Sequence, residues 1–310
     1  MGFHGVEFSI DERGFLVSSA GATSMALPWT TWGESPQERA SAMDDLGVDM
    51  QVISLSPTMH WHSLDADDGR AWAEVVNDDI AGYVGELPER FTGLAFLPLQ
   101  DPEMAVEELR RAREELGLAG AIIATNVRGA DWDDQALWPI LEAAQDLRAF
   151  LLLHPARGRG QQFLSRYHTR NTIGNPLETT IALAACIFGG VLDRFPGLLL
   201  CCAHGGGYAC WGSGRFDHAS QVRSEAASGL RQLPSDYLRT LYFDSLTHSE
   251  PALRYLVDFV GAGRVFLGTD YPADMGQPEP VRWIDSCESL TAEEKASILG
   301  GALAGILEKP

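Results

Sequence analysis

The sequence predicts an α/β protein of the parallel-barrel type whose first strand is missing or replaced. Three observations carry this. From Pro36 onward, short apolar runs alternate with helical stretches, and β followed by α, repeatedly, implies parallel strands joined by crossover helices. Seven core strands can be counted, starting at Met50, Thr92, Gly120, Ala149, Leu198, Leu241 and Val265. The 310-residue length accommodates a barrel of roughly 250 residues with insertions. A doubly wound open sheet is the rival. It should carry a glycine-rich phosphate loop after an early strand, and neither GxGxxG nor GxxxxGK(S/T) occurs.

Residues 1–35 are Gly/Ser/Thr-rich and weakly periodic, with a hairpin expected around Glu7–Ser18. They form an N-terminal segment, and 36–310 the barrel domain. Pro36–Leu46 reads as a helix with Ser35 as N-cap and Gly47 as stop. Met50–Leu55 is then a buried strand and Gly69–Leu87 an amphipathic helix. Thr92–Leu97 is a strand, followed by a helix over Asp101–Leu116 with acidic residues first and Pro102 at its start. Gly120–Ala124 is a strand, Asp134–Leu147 a helix, and Ala149–Leu153 a strand ending in His154. Leu177–Phe195 reads as one long apolar helix, and Leu198–Ala203 as a strand ending in His204. A strand at Leu241–Asp244, a helix at Pro251–Val260, a strand at Val265–Gly268 and a closing helix at Ala292–Leu307 complete the pattern.

Composition narrows the function. The chain carries 23 basic and 43 acidic residues, a net charge of −20. Phosphate contacts need a basic surface, so nucleic acid and anionic membranes are poor partners. No apolar run reaches the roughly 18 residues of a bilayer span. The N-terminus MGFHGVEF lacks a basic start followed by an apolar stretch. The cysteines are Cys186, Cys201, Cys202, Cys210 and Cys287, an odd number without a CxxC pair. They read as free or buried thiols of a reducing cytoplasm.

Four polar residues fall at strand ends: His154, His204, Asp244 and Asp270. The C-terminal face of the strands is where barrel active sites are built. FLLLHP, CCAHGGG and FLGTDYP each run from an apolar strand directly into an imidazole or carboxylate and then into Gly or Pro. Imidazoles and a carboxylate together suit a divalent transition metal. A single such histidine is more often a core-edge residue bonded to backbone; three on three strand ends reverse those odds. His60 and His62, in MHWH, follow Pro57 and so belong to a loop, as solvent-facing or substrate-loop histidines. Arg215, a helical distance after HGGG, is either a surface or interface arginine or a carboxylate clamp. His4, His168, His218 and His248 have no partner in sequence.

RAFLLLHP, GGVLDRFPGLLLCCAHGGGYACWGSGRFDHA and LYFDSLTHSEPALRYLVDFVGAGRVFLGTDYP, in that order, resemble the aminocarboxymuconate-semialdehyde decarboxylase-like branch of the amidohydrolase superfamily. The similarity extends through ERASAMDDLGVDMQVISLSP and RFTGLAFLPLQDPEMAVEEL. It implies a distorted TIM-type (β/α)8 barrel, often dimeric, with one divalent metal, commonly zinc, and decarboxylation of small unsaturated or aromatic acids. By motif, the metal histidine falls on His154 and the catalytic histidine on His204. The aspartate that binds metal and shuttles a proton falls on Asp270. Arg215 matches an arginine that in some relatives reaches the substrate carboxylate of a neighbouring subunit. The family's first strand ends in HxH or ExH and supplies two further ligands. Here GFH places Gly2 opposite His4, so two metal ligands are matched. His60 or His62, or a strand encoded upstream, would complete the shell. Three functions follow: a metal-dependent decarboxylase first, a hydrolase of an ester, lactone or amide on the same site second, and a non-catalytic ligand- or partner-binding barrel third.

Overall fold

The computed structural model describes all residues except 1, 4–5, 21–22, 29–32, 157, 161–162, 228 and 308–310. His4 therefore lies outside the described residues. The chain divides into two compact units, residues 1–123 and 124–310.

The first unit opens with an antiparallel sheet of four strands in sequential order, β1 (Gly2–Phe3), β2 (Val6–Ile10), β3 (Phe15–Ala20) and β4 (Thr23–Pro28). The expected hairpin is its β2–β3 arm, with Ile10 paired to Leu16. Its turn is held by Asp11, whose Oδ1 accepts the backbone N–H groups of Arg13 at 2.9 Å and Phe15 at 3.0 Å. No parallel first strand precedes Pro36 among the described residues; the antiparallel sheet stands there instead.

Three parallel strands follow, β5 (Gln51–Ser54), β6 (Phe91–Phe96) and β7 (Gly120–Ala124), paired in that order. Their helices start where capping chemistry allows. Ser35 and Glu38 form a capping box on the helix Pro36–Leu46, which stops at Gly47. Asp65 caps the helix Ala66–Glu86, three residues ahead of the expected start at Gly69, because its carboxylate accepts from the N–H of Asp68. Asp101 caps Pro102–Glu114 through the N–H groups of Glu103 and Met104. Buried Asn77 joins helix to strand: its Oδ1 accepts from Phe96 N–H at 2.8 Å and its Nδ2 donates to Phe96 O at 2.9 Å.

The second unit holds four parallel strands, β8 (Phe150–His154), β9 (Leu199–Cys202), β10 (Tyr242–Asp244) and β11 (Val265–Phe266), again paired in chain order. Together with β5–β7 these are seven parallel strands among the described residues, the seven expected. The differences have identifiable causes. The long helix is two, Asn175–Phe188 and Val191–Arg194, interrupted at Gly189–Gly190. The strand Val265–Gly268 ends at Phe266 because the next N–H groups leave the ladder: Leu267 donates to Ile298 O and Gly268 to Ser245 Oγ. The closing helix is split into Ala292–Ala296 and Ala302–Leu307 by a wide turn over Ser297–Gly301, which contains the carbonyl that accepts from Leu267. All five cysteines are free and buried. Among the described residues, no helix is long and apolar enough to cross a membrane.

Candidate active site

His154 is the last residue of β8. His204 follows β9 by one residue, in a left-handed conformation (φ 57°), and Asp270 follows β11 in the same region (φ 53°). Such φ values in residues other than glycine cost energy and concentrate at functional sites. The glycines after His204 make its turn feasible. A Cβ on Gly206 would lie 2.5 Å from the Phe243 ring, and one on Gly207 would run into Pro176 O.

The three residues converge. His154 Nε2 lies 3.7 Å from Asp270 Oδ1, and His204 Nε2 lies 3.5 Å from Asp270 Oδ2. The two imidazoles meet edge to face, with centroids 4.9 Å apart. One donor atom from each residue lies within 4.8 Å of the others, and both histidines and the aspartate are partly buried. His154 Nδ1 sits 3.0 Å from Pro155 O. A carbonyl only accepts, so Nδ1 carries a proton, and Nε2 is the ring atom turned towards Asp270. A backbone carbonyl behind the imidazole is the usual orientation of a metal-binding histidine. Two imidazoles and a carboxylate at this spacing fit one divalent cation.

The electrostatics are those of a charged pair in a partly dry setting. Burial pushes the Asp270 carboxyl up, but the His154 and His204 imidazoles outweigh it and hold it well below the usual carboxylate range. Burial pushes His204 down, and the Asp270 and Asp244 carboxylates reverse this and raise it.

His204 and Asp270 open into a cavity of about 440 Å³, within the size range of small-molecule sites. Tyr208, Trp211 and Tyr255 form an aromatic wall, with Leu246, Met275 and His248 also on its lining. Trp211 is 78% exposed and packs 5.3 Å from Tyr255, centroid to centroid. Residue types alone did not mark these aromatics, although YACW follows HGGG directly. His248, partnerless in sequence, sits on the cavity rim with φ 51°.

The other candidates are placed differently. Asp244, the fourth polar strand end, is buried and bonded to backbone. Arg215 is exposed on the helix Ser213–Val222 and is not among the cavity-lining residues. His60 and His62 do lie in a loop of the first unit, but they are not solvent-facing: they are 3% and 8% exposed and pack against Phe96 at 5.2 Å. The flanking apolar Trp61 is fully buried and draws them in.

The Amidohydrolase family profile matches residues 10–303. The chain is 38% identical over 267 residues to the 2-amino-3-carboxymuconate-6-semialdehyde decarboxylase of Dictyostelium discoideum, covering 86% of this chain and 74% of the relative. The structure of this chain is similar to that of 5-carboxyvanillate decarboxylase from Sphingomonas paucimobilis, with a TM-score of 0.82, 29% identity, and coverage of 88% of this chain and 83% of the other. The 5-carboxyvanillate decarboxylase of Novosphingobium aromaticivorans, solved with manganese and 4-hydroxy-3-methoxy-5-nitrobenzoic acid, matches with a TM-score of 0.80 at 26% identity, over 87% of this chain and 79% of that one. A profile match over nearly the whole chain and a relative of this identity show the family. The chain belongs to the amidohydrolase family, in the branch of the aminocarboxymuconate-semialdehyde decarboxylases.

Proposed function

We propose that this chain is a metal-dependent carboxy-lyase that removes CO2 from a small unsaturated or aromatic carboxylic acid. The convergence of His154, His204 and Asp270, the latter two lining an aromatic-walled cavity, carries this reading. Residues 36–310 make up the catalytic barrel and 1–35 an N-terminal addition. The metal of this reading is zinc, held by His154 and Asp270. A bound divalent cation would supply Lewis acidity that stabilises charge developing on a substrate oxygen.

The protein's own residues account for the rest. Pro155 O fixes the His154 tautomer and so the direction of its Nε2 lone pair. The aromatic wall of Tyr208, Trp211 and Tyr255 offers flat apolar faces to an unsaturated ring or chain. In decarboxylation the C–COO bond breaks, its electron pair stays on carbon, and a proton must arrive at that carbon. Asp270, ionised at rest, moves this proton: it takes it up from water or from a protonated His204 beside it and passes it to the carbon, returning to the carboxylate. His204, 3.5 Å from Asp270, donates a hydrogen bond or proton to the oxygen that carries charge. The exposed position of Arg215 suits a residue that reaches the substrate carboxylate of a neighbouring subunit in a homodimer. Five free, buried thiols suit a reducing compartment, the cytoplasm.

The test is CO2 release from aminocarboxymuconate semialdehyde, dihydroxybenzoates and carboxyvanillate, with zinc or manganese supplied. Turnover of at least one of these supports the reading. Cleavage of ester, lactone or amide substrates with no CO2 released from any acid would replace it with a hydrolase.

A further inference from the structure

We propose that Asp244 and Ser245 are positioning residues that together set the separation of His204 and Asp270. β10, which leads into them, pairs with β9 on one side and β11 on the other. Those flanking strands lead to His204 and Asp270.

The Asp244 carboxylate ties down the first of these turns. Its Oδ2 accepts from the backbone N–H of His204 at 2.8 Å, and its Oδ1 accepts from Gly205 N–H at 2.8 Å and Leu246 N–H at 3.0 Å. Left-handed backbone at His204 persists only where its surroundings over-determine it, and these bonds do so. Three N–H donors also satisfy a carboxylate that is only 9% exposed. Asp244 is also not among the residues lining the cavity; it acts through His204.

Ser245 ties down the second. Its N–H donates to Phe266 O at 2.9 Å, and its Oγ accepts from Gly268 N–H at 3.1 Å. Gly268 lies two residues before Asp270. It runs so close to β10 that a Cβ there would stand 2.9 Å from Asp244 Cβ. The last residue of β10 and the one after it thus grip both turns, and the Nε2–Oδ2 separation of 3.5 Å follows from the span between the two grips.

The inference rests on the decarboxylase reading, and Asp244→Asn and Ser245→Ala test it. The asparagine replaces one acceptor oxygen by an amide donor, which opposes a backbone N–H. Misplacement of a catalytic group by about 1 Å costs about 100-fold in rate, so Asp244→Asn should lower kcat per folded chain by about 10- to 100-fold. Ser245→Ala removes one hydrogen bond and should lower kcat by about fivefold. In both, KM should stay within about threefold of the parent, because neither side chain binds substrate. Lower thermal stability with kcat per folded chain unchanged would overturn the proposal. Should Asp244→Asn fail to fold, Ser245→Ala, which deletes one hydroxyl, carries the test. A parent without CO2 release counts against the decarboxylase reading alone. Crystal structures of the variants then decide: a shifted His204 or Asp270 supports the proposal, and an unchanged His204–Asp270 geometry overturns it.

Discussion

His204 Nε2 stands 3.5 Å from Asp270 Oδ2, while the other oxygen of the same carboxylate faces His154 Nε2 at 3.7 Å. One carboxylate thus bridges two imidazoles borne on different strands. If Asp270 moves the proton and His204 polarises the substrate, removing either should be costly without unfolding the chain. Asp270→Asn and His204→Ala are each expected to lower kcat by about 10²- to 10⁴-fold, with thermal midpoints close to the parent. Rates of CO2 release and differential scanning calorimetry on the same preparations check this. Activity within a factor of a few of the parent would remove the residue from the mechanism.

Metal content is the second test. With His204 used as a proton or hydrogen-bond donor, His154 and Asp270 are the assigned ligands, fewer than the three protein ligands of ordinary catalytic zinc sites. Purified protein should hold well under one equivalent of metal by elemental analysis. Added zinc or manganese should raise activity, and chelation should abolish it. A full equivalent that survives dialysis would show that further residues complete the shell. His154→Ala would then have to lower that occupancy.

Arg215 bears on substrate binding. In a chain of net charge −20, an anionic substrate needs a local cation. A charged hydrogen bond contributes about 1.5–3 kcal/mol, so Arg215→Ala should raise KM about 10- to 100-fold with little change in kcat. Arg215→Lys should recover part of this, since the charge remains and the fork is lost. Steady-state kinetics unchanged in both variants would return Arg215 to the surface residues.

Acid stability provides a test away from the site. Arg254 pairs with Glu294 at 2.7 and 2.9 Å, joining the helix Glu250–Val260 to Ala292–Ala296. The Arg254 side chain and the Thr291 backbone N–H hold the Glu294 carboxyl down to about 2. A carboxyl depressed on folding stabilises the native state above its unfolded value. That contribution is lost as protons bind between the ordinary value of 4.5 and about 2. Parent and Arg254→Met should therefore differ in urea midpoint at pH 7 and converge as the pH approaches 2. A constant difference across that range would assign the effect to packing of the arginine stem and its bond to Ser289 O instead.

Much of this was legible in the sequence, because it rests on local chemistry. Apolar runs of strand length alternating with amphipathic stretches specify β and α in turn. Ser35 with Glu38 and Asp101 with Pro102 mark helix starts through bonds within one turn. A polar residue at or shortly past the end of an apolar strand lies at that end of the sheet, so the convergence of His154, His204 and Asp270 could be expected in advance. Tertiary structure decided what depends on distant partners. The strand at Val265 stops at Phe266 because Ile298 and Ser245 take its next N–H groups. His60 and His62 are buried because Trp61 and Phe96 draw their loop inward. Asp244 has the same sequence signature as Asp270, an acid at a strand end, yet its oxygens are occupied by backbone N–H groups of the neighbouring turn. Periodicity and capping record only interactions within a few residues, whereas the left-handed turn at His204 is held by a carboxylate on the next strand.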